Sequence, residues 1–304
     1  MMLKFAPPPE KIRRQESRMP PTPAVAGASR EGPAKATADC LPGQAGGQAT
    51  GQAVRDLLAA SEADAAAGDF EAALRSAEAA REAAAVAGDA GGEALAALAA
   101  ARAHAARSKP DEALVAAAAV RRLGRIALEG LELKRLEMNA LQVLSQAHIA
   151  KAEACMQSSA WQAGGPDLGM VKSSAGESAK MAMEALHLSR EIKDEPAQAF
   201  AMYLAAHAYF LAQQSSEACR FALQAHSLFR ALKDMRMAGA ASLTLAQAHY
   251  SQDRRDQALL AAKEALSLST TARDPEGVDG ARQLLEQVVR SDGEPATVTP
   301  CRRL

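Results

Sequence analysis

The chain has 304 residues, 48% of them hydrophobic and 23% charged, which is enough apolar material for a sizeable core. Alanine is the largest part of that hydrophobic share and aromatics are only 3%, so the bulky side chains of a compact sheet-based core are missing and a nearly all-helical protein is expected. A net charge of −1 excludes a general electrostatic attraction to nucleic acid or to an acidic membrane surface.

Residues 1–52 hold eight of the fourteen prolines and a GQAGGQATGQ tract, a composition that cannot bury enough apolar surface to offset the entropy of ordering. They are expected to be disordered, as is the tail at 292–304. The first eighteen residues, MMLKFAPPPEKIRRQESR, carry Lys4, Lys11, Arg13, Arg14 and Arg18 against Glu10 and Glu16. That excess suits an organelle-targeting leader, but Pro7, Pro8 and Pro9 break the amphipathic helix a leader needs. No run approaches eighteen apolar residues, so no membrane insertion is expected. Cys40, Cys155, Cys219 and Cys301 lie far apart without metal-ligand spacing, which reads as reduced thiols in the cytoplasm and no metal site.

From residue 53 to 291 the sequence repeats. Ala63 and Ala73 return forty residues later as Ala103 and Ala113, and Ala208 and Ala218 return as Ala248 and Ala258. Ala182, Ala185 and Leu188 recur as Ala222, Ala225 and Leu228, then as Ala262, Ala265 and Leu268. A fixed period of this size indicates stacked supersecondary units. Each unit reads as two amphipathic helices around a turn, with the turns at GDFEA (68–72), SKPDEA (108–113), QQSSEA (213–218) and QDRRDQA (252–258). A second punctuation, GD at 88, KD at 193, KD at 233 and RD at 273, closes the second helix of a unit. The third unit is interrupted by 21 extra residues at about 155–175, which carry the only tryptophan, Trp161. Because the helical phase is intact on both sides, these residues are expected to loop out of the stack. A capping helix is expected at 276–290.

Leu245, Ala246, His249, Ala258, Ala262 and Ala265 resemble the tetratricopeptide repeat in its longer form, and Ala205, Ala206, Tyr209, Ala218, Ala222 and Ala225 follow the same order. Ala101, His104, Ala113 and Ala117 match more loosely; Ser61, Asp64 and Ser178 depart from the pattern. The resemblance implies a right-handed α-solenoid of five helix–turn–helix units with a concave groove, one unit interrupted, acting as a non-enzymatic adaptor for a protein or peptide. It also implies that His104, His148 and His249 sit in a packing slot that Tyr209 fills elsewhere, while His187 and His226 are solvated on second helices.

The inward positions implied for the first helices are Arg102, Asn139, Gln142, Gln146, Tyr203, His207, Phe210, Gln247 and Tyr250. Amides and an arginine there can bond an extended peptide while aromatics take its apolar side chains; ordinary packing between units is the competing reading of Tyr203, His207 and Phe210. Asn139 is the only asparagine, so the asparagine pair used by family members that clamp a chaperone's carboxylate is missing and chaperone docking of that kind is not expected. No HExxH or GxSxG occurs, and GGPDLG at 164–169 lacks the context of a phosphate loop, so neither catalysis nor a cofactor is expected. LKFAPPP followed by KIRRQESRMPPTPA resembles inhibitors of protein phosphatase 1, with Phe5 in the docking motif and Thr22 as the phosphorylated threonine. That alternative makes the chain a phosphatase regulator acting through residues 1–52; a third makes it a structural subunit whose groove is filled within a larger assembly.

Overall fold

The computed structural model describes residues 43–157 and 168–293. Among the described residues there are helices α1 (Gly43–Ala67), α2 (Phe70–Ala87), α3 (Ala90–Ala106), α4 (Pro110–Ala127), α5 (Gly130–Gln157), α6 (Leu168–Glu191), α7 (Glu195–Leu211), α8 (Ser215–Ala231), α9 (Met235–Ser251), α10 (Arg255–Ala272) and α11 (Pro275–Gly293), and no strand. None is long and apolar enough to cross a membrane.

Each helix packs on the one before and the one after, which is an α-solenoid of helix–turn–helix units. The first helices of the units also touch in series: α1 with α3, α3 with α5, α5 with α7, α7 with α9, and α9 with α11. The second helices, α2, α4, α6, α8 and α10, make no such contacts among themselves. Elements that stay close line the inside of a curve and elements that splay lie outside, so the first helices form the inner wall.

One small-residue pair recurs where the two helices of each unit cross: Ser61/Ala73, Ala101/Ala113, Ser145/Ser178, Ala206/Ala218 and Ala246/Ala258, all at most 3% exposed. The sequence departures are explained here. The Ser61 hydroxyl donates to the Ala73 carbonyl at 2.8 Å, and Ser145 and Ser178 share a hydroxyl contact of 2.8 Å while Ser178 also donates to the Ser145 carbonyl at 3.0 Å. A hydroxyl at such a crossing is buried only because a partner is within reach. In the same unit as Ser61, Ser76 donates to Asp64 at 3.2 Å where other units place a histidine or tyrosine.

The turns share a backbone solution. Gly68, Gly88, Ser108, Lys193, Gln213, Lys233, Asp253 and Arg273 all adopt positive φ, between 55° and 84°. Lys193 donates its N–H to the Arg190 carbonyl at 3.2 Å and Asp194 to Ser189 at 2.9 Å, which closes the helix end with a paired carbonyl cap. The following residue then starts the next helix: Asp69, Asp89, Asp194 and Asp234 each accept from the N–H three residues on, at 2.9 to 3.0 Å. Closing and opening in consecutive residues keeps each turn to two or three residues and holds the period.

Three boundaries differ from the sequence reading. α1 begins at Gly43, so residues 43–52 continue the first helix instead of belonging to a disordered segment, and α11 runs to Gly293, past the expected start of the tail at 292. The alanines and glutamines of the 43–52 tract extend a helix that Val54, 2% exposed, anchors. The insertion does not simply loop out. α5 ends nine residues past His148, whereas α9 ends two past the equivalent His249, and α6 begins correspondingly early. The flanks therefore add about two turns, ~10 Å, to each helix, and Val171 and Ala175, at 3% and 0% exposure, join the buried core. Trp161 lies outside the described residues.

Two outcomes follow for stability. Ala225 is fully buried on α8, so Ala225→Leu overpacks the joint and lowers stability by about 1 to 3 kcal/mol in chemical denaturation. Replacing residues 158–167 with a short glycine-containing turn preserves cooperative unfolding, whereas deleting 155–175 removes Val171 and Ala175 and lowers the melting temperature; equal melting of the two deletions would refute the packed extension.

Candidate functional site on the inner wall

The inner wall is narrower than the sequence implies. In α9 every residue from Met237 to Ala246 is buried, and in α7 every residue from Ala201 to Ala206. Partly exposed on the first helices are, among others, a register column of Arg102, Gln146, His207 and Gln247, with Asn139 nearer the start of α5 and Phe210 and Tyr250 one turn on from His207 and Gln247.

Two of the expected groove residues are packing groups. Tyr203 is 3% exposed, with its ring centroid 6.3 Å from Phe200 and 6.2 Å from His207. Burial and the nearby Glu153 carboxylate push its phenol well above the ordinary tyrosine range. Helical spacing does put Tyr203, His207 and Phe210 on one face, but of the three only Tyr203 is buried. Gln142 is 8% exposed, and its Nε2 donates to the Ala197 carbonyl at 3.3 Å, tying α5 to α7.

The structure adds a group that repeat logic passed over. Glu153 sits in the extra turns of α5, and its Oε1 lies 3.3 Å from Nε2 of His207 on α7. Burial acts to raise the Glu153 carboxyl, but the hydrogen bond from His207 and, when that imidazole is protonated, its charge act the other way and hold the group below the usual carboxylate range. A departure from the forty-residue register at residues 151–157 was its only signal in the sequence.

The other histidines divide much as expected. His104, His148 and His249 are part-buried, and burial lowers the affinity of each for a proton. His249 packs its Nδ1 3.7 Å from Sγ of Cys219 on the preceding α8, so the slot joins one unit to the next. Tyr209 fills it with a ring stacked 5.5 Å from Phe221. His187 is exposed, but His226 is not solvated: its side chain is 17% exposed, and Nε2 approaches Glu264 to 3.2 Å without the alignment of a hydrogen bond. Among the described residues no three His, Cys, Asp or Glu side chains group to hold a metal ion. Phe5 and Thr22 lie outside the described residues.

No protein-family model matches the chain, and no curated protein is significantly similar to it.

The buried histidines set a pH dependence. Each binds its proton less readily folded than unfolded, so stability is complete above the unfolded value of about 6.5 and is lost as pH falls toward the lowered folded value. The triple variant H104Q/H148Q/H249Q is expected to lose less melting temperature than the parent between pH 7.5 and 5.5, followed by circular dichroism; equal losses would place the titrating groups elsewhere.

Proposed function

We propose that this protein is a non-enzymatic adaptor of the tetratricopeptide kind, which holds an extended peptide or a partner helix against its inner wall. The observation that carries this reading is the column of Arg102, Gln146, His207 and Gln247, partly exposed on successive first helices with Phe210 and Tyr250 beside it. Side-chain amides, an imidazole and a guanidinium at the spacing of stacked helices can hydrogen-bond an extended backbone, and two aromatics can take its apolar side chains. Binding is an equilibrium event with no chemical step. Tyr203 and Gln142 support the wall from behind it.

A peptide selected against the full chain by display supplies the ligand for a test. Phe210→Ala and Tyr250→Ala are expected to weaken its binding about 30-fold, or ~2 kcal/mol, with helix content unchanged. Tyr203→Ala is expected to lower the melting temperature as well, because it empties a buried site. Binding that survives both aromatic truncations but vanishes when residues 1–52 are removed would move the function to the N-terminal segment.

A further inference from the structure

The adaptor reading leaves open what the wall prefers, and Glu153 supplies a chemical answer. Its carboxylate is part-buried beside His207 and close enough to raise the Tyr203 phenol, on α5 next to a column whose one permanent cation, Arg102, lies on α3. Its partner in the described structure, His207, offers a full positive charge only when protonated. A part-exposed carboxylate whose neighbour is an imidazole is a seat for a guanidinium or ammonium group, which pairs with the charge while its stem lies on the surrounding helix surface.

The chain carries such a ligand itself. Residues 43–293 hold 26 Lys and Arg against 31 Asp and Glu, whereas residues 1–42 hold 7 against 4, with Lys4, Lys11, Arg13, Arg14 and Arg18 gathered near the start. The same stretch offers Leu3, Phe5 and Ile12 as apolar contacts, and its run of Pro7, Pro8 and Pro9 has little conformational entropy to lose on binding. Reach is sufficient. The residues from Arg18 to Gly43 extend up to ~80 Å at ~3.3 Å each. Crossing from α1 to α7 takes three first-helix spacings of ~10 Å and about one helix length of ~35 Å, roughly 50 Å in all.

We propose that residues 4–18 of this chain dock on its own inner wall, with a basic side chain of the 11–18 stretch against the Glu153 carboxylate, and so compete with the partner for the groove. This rests on the adaptor reading for what is regulated, but the docking itself does not need a partner to exist. A tethered segment acts at an effective concentration on the order of millimolar, so even a weak contact occupies the site and must be displaced.

The test uses the full chain, diluted and coupled with a zero-length carbodiimide that joins lysine amines to carboxylates. Mass spectrometry is expected to find Glu153 joined to Lys4 or Lys11 within one chain, with that product lost in Glu153→Gln and suppressed in Arg13→Glu/Arg14→Glu and at high salt. Mixing isotopically light and heavy protein separates products within a chain from those between chains. Coupling of the two lysines to acids throughout the solenoid without preference for Glu153, or only between chains, overturns the proposal. The display-selected peptide is then titrated against parent and Arg13→Glu/Arg14→Glu, where the variant is expected to bind about tenfold more tightly. Equal binding without the Glu153 product removes the docking and leaves the adaptor standing. The Glu153 product without peptide binding to either protein keeps the docking and removes the adaptor.

Discussion

The structure depends on how closely two helices approach at the crossing within each unit. An alanine or serine on both sides lets the backbones come together, and everything further out is placed by that distance: which residues of the next helix are reached, how tightly the first helices stack, and how sharply the solenoid curves. Each buried methyl contributes only ~0.8 kcal/mol, so the stack draws on many small contacts where a compact domain would draw on a few large side chains. The interrupted unit obeys the same constraint with different chemistry, since Ser145 and Ser178 keep the small volume and satisfy each other's hydroxyls.

Close approach has a consequence for binding. First helices that touch their successors as well as their own partners leave little of themselves uncovered, and α9 is closed over ten consecutive residues. On α7 and α9 the partly exposed residues are therefore those near the helix ends, where Gln247, Phe210 and Tyr250 emerge. The insertion enlarges this region. By lengthening α5 it carries Glu153 beyond the point where other first helices stop and sets it against His207, so the one unit that breaks the period puts a carboxylate beside the exposed column.

The turns carry the period. Six residues other than glycine, Ser108, Lys193, Gln213, Lys233, Asp253 and Arg273, hold the left-handed backbone that is ordinarily left to glycine or asparagine. Each is held there by its position between a helix closed behind it and a helix opened by its neighbour, as Lys193 and Lys233 are by the caps of Asp194 and Asp234. The paired hydrogen bonds on either side offset the unfavourable local conformation, and a connection of two or three residues becomes possible without glycine.

The sequence by itself determined the helical class, the forty-residue period, the short turns within and between most units and the packing role of the histidine slot, because alanine spacing and recurring Asp-containing turns are local signals that repeat and reinforce one another. It also pointed to the interrupted unit. Tertiary structure alone decided which inward positions stay open: Tyr203 and Phe210 share a helix face and are alike in sequence, yet of the two only Tyr203 is buried, because exposure depends on what the folded chain packs against each position. It alone decided that the insertion continues two helices before leaving them, since Val171 and Ala175 signal burial only once a facing helix is in place. The meeting of Glu153 with His207 was out of reach for the same reason: it joins residues of different units, one of them off the repeat register, and no local pattern encodes a distance between them.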